Sequence, residues 1–314
     1  MKFAVVGAGG VGGYFGGRLA RSGEDVWFLA RGPHLEAMHT SGLRIDSFEG
    51  GWVVPPGKMT GNAATVGTVD AVLFCVKSYD TASAAQSLEP LLSPYTIIIS
   101  LQNGIDNEEK IQRLIPRGIV FGGVAYIYAN ITAPGVITHT IGPTKIVFGP
   151  LEQTDAECLR RAKLIHEAML RSHIHAELVN DIRIELWKKY IFIAAVGGMT
   201  ALTRLTLGEI LAVPETRALL EDAMRETLAI AHARGIELPH DFVEYIFDVL
   251  KRYDNRSRSS LYHDLVHGRR LEIEAFSGTI VSEGKRLGIP TPVHRAIYAA
   301  LLPYHLKHSR TLPS

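Results

Sequence analysis

The feature that most constrains this chain is a short apolar run, Lys2-Phe3-Ala4-Val5-Val6, which passes directly into Gly7-Ala8-Gly9-Gly10-Val11-Gly12. An apolar run with β-branched members reads as a buried strand. A helix-like stretch from Tyr14 to Arg21 follows, then a second apolar run, Val26-Trp27-Phe28-Leu29. Strand, Gly-x-Gly-x-x-Gly, helix and strand within about thirty residues form the unit that binds a dinucleotide. Gly7 permits the tight turn, Gly9 lets the backbone approach a pyrophosphate, and Gly12 lets the helix pack close to the strand. The helix N-terminus offers unpaired N–H groups and partial positive charge to the phosphates. Gly7, Ala8, Gly9, Gly10, Val11 and Gly12 are therefore the expected cofactor loop. A turn without a ligand is the alternative, and the strand and helix on either side speak against it.

The end of the second strand bears on which dinucleotide is bound. A site for NAD usually has an acid there, gripping the ribose 2′-OH. This chain reads Leu29-Ala30-Arg31-Gly32, with no acid. Arg31 can hold a 2′-phosphate by a charge-assisted contact, so the expected cofactor is NADPH.

At 314 residues the chain is long enough for two domains. Its 33 Lys+Arg balance 32 Asp+Glu, which gives no electrostatic case for nucleic acid or an anionic membrane. Cys75 and Cys158 lie far apart in sequence and suggest no disulfide framework, which fits a reducing cytoplasm. The first strand starts at residue 2, so no signal peptide is expected, and no apolar run approaches the roughly 18 residues of a membrane span. No metal site is expected from the 13 histidines.

Beyond Arg31, a polar helix covers His34 to His39, and Leu43–Ile45 with Trp52–Val54 reads as a small hairpin at a sheet edge. Ala71–Val76 and Thr96–Ser100 read as buried parallel strands, ending at Lys77-Ser78 and Gln102-Asn103-Gly104, with a helix through Leu91 between them. Strands alternating with helices predict a doubly wound α/β sheet, with ligands at the carboxyl ends of the strands. Lys77 and Asn103 accordingly belong near the cofactor. Between Gly122 and Gly149, three short β runs separated by Pro134-Gly135 and Gly142-Pro143 suggest an antiparallel extension. Thr154-x-x-Glu157 reads as a capping box opening a helix to Arg171, and Ile174–Val179 as a last strand.

From residue 181 the pattern becomes all helical, with 3.6-residue periodicity over Ile182–Ala195, Thr216–Ala233, Asp241–Arg252, Leu271–Leu287 and Val293–Leu306. The expected domains are therefore 1–180, binding NADP, and 181–314, helical, for substrate and dimer contacts. Residues 309–314 are expected to fray. A nicotinamide domain joined to a helical domain implies a cleft, and ketone reduction needs a proton donor beside the carbonyl oxygen. Two stretches offer candidates, Arg183-Ile184-Glu185-Leu186-Trp187-Lys188-Lys189-Tyr190 and Arg269-Arg270-Leu271-Glu272-Ile273-Glu274. Spacing alone equally allows Glu185 and Lys189 to be an i,i+4 surface pair and Glu272 to be a first-turn helix acid.

Taken together, Gly7-x-Gly9-x-x-Gly12, Arg31-Gly32, Lys77, Asn103-Gly104, Glu185-Leu186-Trp187-Lys188-Lys189, Thr200-Ala201, Ser260 and Leu271-Glu272-Ile273 resemble the ketopantoate reductase family over essentially the full length. The resemblance implies a Rossmann domain followed by a helical domain similar to that of 6-phosphogluconate dehydrogenase. It implies NADPH-dependent reduction of 2-dehydropantoate to (R)-pantoate, on the way to pantothenate. It makes Lys189 the general acid, and Glu272 a substrate-site residue that accepts from the substrate hydroxyl and helps position Lys189. Asn103 would contact nicotinamide or substrate, and Ser260 would donate to the substrate carboxylate. Arg31 and Lys77 would serve the adenosine phosphate and sugar of the cofactor.

Three positions depart from the family pattern. Ile193, Gly197 and Ser257 stand where pantoate-forming members typically carry Asn. Ile and Gly there imply a more apolar, roomier pocket, and buried polar contacts discriminate strongly between substrates. A paralogue acting on a less polar 2-keto acid or ketone is the alternative, and a non-catalytic NADPH sensor the alternative of another class. A small 2-keto acid is the expected partner, and a homodimer the expected assembly. Arg31→Ala is expected to weaken NADPH binding far more than NADH binding. Equal losses for the two, read by fluorescence titration, would remove the 2′-phosphate argument.

Overall fold

In the computed structural model, which describes residues 1–251 and 254–309, the chain divides into two compact units between Arg183 and Ile184. The first unit is built on one sheet. Its strands and helices in order are β1 (Lys2–Val6), α1 (Gly10–Arg21), β2 (Asp25–Leu29), α2 (Gly32–Ser41), β3 (Leu43–Ser47), β4 (Trp52–Val54) and β5 (Met59–Thr60). Then come β6 (Ala71–Phe74), α3 (Thr81–Gln86), β7 (Ile97–Ser100), α4 (Asn107–Leu114), β8 (Ile119–Ala133), β9 (Val136–Gly149), α5 (Ala156–Arg171) and β10 (His175–Leu178).

Six strands run parallel in the order β5-β2-β1-β6-β7-β8. Chain order reverses between β1 and β6, and that reversal is where a doubly wound sheet opens a ligand crevice beyond its strand ends. Alternation along β1 feeds two cores. Phe3 and Val5 pack with Tyr14, Phe15 and Leu19 on one face, while Ala4 and Val6 pack with Leu88, Leu91 and Ile111 on the other. Full burial of each such large apolar side chain is worth about 1.5–3 kcal/mol, so β1 is the spine of the unit.

Two expectations change here. The three short β runs of 122–149 are two long antiparallel strands, β8 and β9, joined at Pro134-Gly135. Gly142-Pro143 lies inside β9: Gly142 takes φ +98°, and register shifts near Tyr128 absorb the irregularity without ending the strand. Helix α5 is capped by Asp155, whose carboxylate accepts from the Cys158 N–H at 2.7 Å, and not by Thr154. Glu157 then falls at the second helical position and pairs with Arg160 and Arg161 instead of reaching back to a cap. A carboxylate also answers the helix dipole, which a hydroxyl does not.

The second unit is helical: α6 (Arg183–Thr203), α7 (Leu207–Ala212), α8 (Pro214–Ala233), α9 (Phe242–Leu250), α10 (Ser260–Val266), a π-helical segment Glu274–Gly278, α11 (Thr279–Leu287) and α12 (Pro292–Ser309). Arg252, at the end of the expected 241–252 helix, and residues 310–314 of the expected frayed tail lie outside the described residues. The expected 271–287 helix is the largest departure in this unit. Leu271 and Glu272 lie outside regular helix, and the Gly278 N–H reaches the Ile273 carbonyl at 2.9 Å, one residue further back than in an α-helix. No helix among the described residues is long and apolar enough to cross a membrane. Asp155→Ala is expected to lower stability by about 1 kcal/mol and Thr154→Ala by clearly less. Equal losses in denaturant unfolding would contradict the assignment of the cap.

Candidate functional site

The Gly-rich loop occupies the end of β1, at the chain reversal. Gly7 has φ +95°, and its N–H donates to the Leu29 carbonyl at 3.0 Å, so the turn requires the left-handed region that glycine tolerates. At Gly12 a Cβ would come within 2.3 Å of the Gly7 carbonyl oxygen and 2.8 Å of Val5, so only glycine lets α1 lie this close to β1. The same helix face presents Gly13 to Ile137, Gly16 to Val5 and Phe28, and Gly17 to Ile45. Gly9 is different. A Cβ there would meet nothing within 4 Å.

Open space over Gly9 therefore borders the start of α1, which has no side-chain cap and no acid in its first turn. Such a terminus favours an anion. The arrangement fits a pyrophosphate.

His34, on α2, ties this loop to the tip of the long hairpin. Its Nδ1 accepts from the Gly135 N–H at 3.0 Å, which leaves Nε2 to donate to the Ala8 carbonyl at 2.9 Å. Burial pushes its pKa below the ordinary histidine value, in keeping with the neutral ring that this pattern demands. Arg31, at the end of β2, is largely exposed and forms an ion pair with Asp80.

The loops after β6 and β7 are fastened to each other. Gln102 Nε2 donates to the Val76 carbonyl at 2.9 Å and to Thr81 Oγ1 at 2.8 Å. Asn107 Nδ2 donates to the Asn103 carbonyl at 3.0 Å. Lys77 and Asn103 are half-buried residues of these two tethered loops, and Gly104 follows Asn103 with φ +126°. Below them, Glu108 is 1 % exposed, with Ser100 as its polar neighbour and neither carboxylate oxygen in hydrogen-bond geometry among the described residues. Burial pushes its carboxyl up to about 7.

In the second unit, Lys189 is half-buried on α6. Burial lowers its ammonium to about 8, against the opposing pull of the Glu272 carboxylate. The alternative of a surface pair with Glu185 gives way: Glu185 accepts from Lys188 Nζ at 2.8 Å, and the charge acting on Lys189 is that of Glu272. Glu272 is 5 % exposed, so this is a buried carboxylate and not a solvated first-turn acid.

Hydrogen bonds to backbone carbonyls flank Glu272 on either side. The buried Tyr190 hydroxyl, next to Lys189, lies 2.9 Å from the Ala275 carbonyl and 2.7 Å from that of Phe276. His305 Nδ1 lies 2.6 Å from the Leu271 carbonyl. The π-helical segment that begins two residues after Glu272 is a rare local form, frequent at functional sites.

Ser260 is exposed at the first position of α10. Its neighbour Ser259 caps that helix through the Tyr262 N–H, with its Oγ 2.7 Å from Thr200 Oγ1. Gly197 faces apolar neighbours. The Phe276 ring lies 3.6 Å, and Leu261 Cβ 4.0 Å, from where its Cβ would stand. Apolar groups take up space beside it. Ser257 spends its carbonyl on the Leu207 N–H at 2.9 Å, which anchors the start of α7.

Sequence reasoning alone does not single out His34, Gln102, Thr81, Tyr190 or Asp80. Only Gln102, a polar residue between a buried strand and Asn103, carries a local signal.

The family model for ketopantoate reductase PanE/ApbA matches residues 3–153, and the C-terminal model of the same family matches residues 181–305. An uncharacterized oxidoreductase, YkpB, of Bacillus subtilis is 32% identical over 306 residues, covering 97% of this chain and 99% of its own. A 2-dehydropantoate 2-reductase of Mesorhizobium japonicum is 29% identical, covering 95% and 96%. The crystal structure of a PanE/ApbA family ketopantoate reductase from Ralstonia eutropha superimposes with a TM-score of 0.89 at 32% identity, over 99% of this chain and 100% of that one.

Glu108 gives a pH test of the tethered loops. Its carboxyl ordinarily titrates near 4.5 and here near 7, so between those values the folded chain keeps a proton that the unfolded chain releases. Stability therefore falls as pH rises through this window, by roughly 3 kcal/mol in all. Glu108→Gln, which stays neutral, is expected to gain stability over wild type as pH rises from 5 to 8 in denaturant unfolding. A difference independent of pH would contradict the burial of an uncompensated carboxyl.

Proposed function

The chain belongs to the ketopantoate reductase family, a family of pyridine-nucleotide-dependent oxidoreductases, and from that premise we propose that it reduces the keto group of a 2-keto acid with NADPH. The observation that carries this reading is the half-buried Lys189 ammonium, lowered to about 8 by burial and facing the Glu272 charge. A proton donor works best when its pKa lies near the working pH. An ordinary surface lysine, near 10.5, holds its proton too tightly.

In this reading the loop Gly7–Gly12 holds the pyrophosphate, Arg31 and Lys77 the adenosine phosphate and sugar, and Asn103 the nicotinamide end or the substrate. The bound dinucleotide supplies the hydride. Lys189 Nζ donates a proton to the carbonyl oxygen as negative charge grows on it, and is left as a neutral amine that regains its proton from water. Glu272 accepts from the substrate hydroxyl and keeps Lys189 protonated up to a higher pH than burial alone would allow. Ser260 donates to the substrate carboxylate. The leading substrate is 2-dehydropantoate, giving (R)-pantoate for pantothenate synthesis. The free thiols Cys75 and Cys158 suit a cytoplasmic enzyme.

One observation favours a second substrate. Ile193 and Gly197 follow Lys189 by one and two turns of α6, and Phe276 and Leu261 line the Gly197 position with carbon. A 2-keto acid with a larger apolar side chain suits that wall better than a small hydroxylated one, since an unpaired hydroxyl against carbon is costly.

The test is a panel of 2-keto acids, ketopantoate and aromatic ones included, with NADPH oxidation followed by absorbance. On the best substrate Lys189→Ala is expected to lose on the order of 100-fold or more in kcat. In wild type, kcat falls as pH rises through about 8, as the donor loses its proton. Glu272→Gln removes the charge that raises this pKa, so its fall begins at lower pH. Wild-type turnover by Lys189→Ala would overturn the assignment of the acid.

A further inference from the structure

The end of β2 lacks the carboxylate that usually grips an adenosine ribose, yet the fold delivers one to Arg31 from another strand. Asp80 closes a short 3-10 turn, Ser78–Asp80, just beyond β6, and its carboxylate pairs with the Arg31 guanidinium. The two partners are unequal. The Arg31 side chain is 81 % exposed, whereas that of Asp80 is 19 % exposed. The Asp80 N–H donates to the Lys77 carbonyl at 2.8 Å, and its own carbonyl accepts from Ser83 Oγ at 3.1 Å. Arg31 is thus a solvated arm, and Asp80 a fixed, mostly covered charge.

We propose that Asp80 is a specificity-determining residue at the adenosine end of the dinucleotide site, where its carboxylate competes with a 2′-phosphate for Arg31 and narrows the preference for NADPH over NADH. This deepens the reading of Gly7–Gly12 and Arg31 as a dinucleotide site and rests on it. An exposed ion pair is weak, so Arg31 exchanges partners readily. The Asp80 charge does not leave when Arg31 does. A phosphate with nearly two negative charges must then sit beside the Asp80 carboxylate, and like charges repel. A ribose with a free 2′-OH meets no such repulsion, and a carboxylate there can accept its hydroxyl proton in a hydrogen bond. Asp80 therefore acts against NADPH while leaving NADH untouched or helped.

The experiment is calorimetric titration of the full chain with NADPH and with NADH, in wild type, Asp80→Asn and Asp80→Ser. Both substitutions are expected to tighten NADPH on the order of tenfold, with NADH changed less than about twofold or weakened. Adding Arg31→Ala to Asp80→Asn should shrink the gain for NADPH, because no guanidinium remains to be released. An unchanged ratio of NADPH to NADH affinity in both Asp80 variants overturns the proposal, and so does weaker NADPH binding in both. Because binding rather than turnover is read, the role of Asp80 is decided even in a protein that reduces none of the keto acids.

Discussion

A half-buried ammonium acted on by one buried carboxylate is the constraint on which the proposed chemistry of this chain depends. Burial alone penalises the charged form of Lys189, and Glu272 opposes that penalty without cancelling it. The net lowering from 10.5 to about 8 corresponds to roughly 3 kcal/mol of lost preference for the ammonium. That is large compared with the 0–1 kcal/mol of an exposed ion pair, and Lys188, one residue away, is paired with Glu185 instead. Two lysines adjacent in sequence thus have different partners because a helix turns them to different surroundings.

The second unit secures that difference through backbone carbonyls. Tyr190 sits beside Lys189 in sequence and directs its hydroxyl at the Ala275 and Phe276 carbonyls, a few residues beyond Glu272. The wider π-helical turn at Glu274–Gly278 leaves those carbonyls in reach, and His305 fixes the Leu271 carbonyl from α12. Lysine and carboxylate are therefore carried on segments joined by hydrogen bonds that involve neither charge. The first unit uses a different device. Along α1, absent side chains at Gly12, Gly13, Gly16 and Gly17 allow close packing on the sheet, and the absent side chain at Gly9 leaves room for an anion.

Much of this is legible in sequence where the signal is local. The turn at Gly7, the close approach at Gly12 and the apolar strands follow from residue type and spacing, because backbone sterics and strand periodicity act over a few residues. The cap of α5 is ambiguous in sequence because Thr154 and Asp155 are adjacent and either could cap; in the fold the carboxylate wins. The long β8–β9 hairpin is hidden because Gly142-Pro143 looks like a strand end, yet a bulge accommodates it. In the site, spacing cannot dismiss the bland readings of Lys189 and Glu272, since burial of a charge is decided by residues from other helices. Asp80 is invisible for the same reason. Its meeting with Arg31 spans 49 positions and exists only because β1 brings the ends of β2 and β6 together.

Whether Lys189 is a tuned proton donor is decided by titrating Lys189 itself. Nitrogen-15 NMR of the lysine side chains in the full chain, with Lys189→Arg to assign the resonance, reads the ammonium without any substrate or cofactor. An ammonium penalised by burial and favoured by Glu272 gives a midpoint near 8, well below the ordinary lysine value of 10.5. A midpoint at the ordinary lysine value would mean a solvated side chain, and the proton donor assigned to this site would be lost.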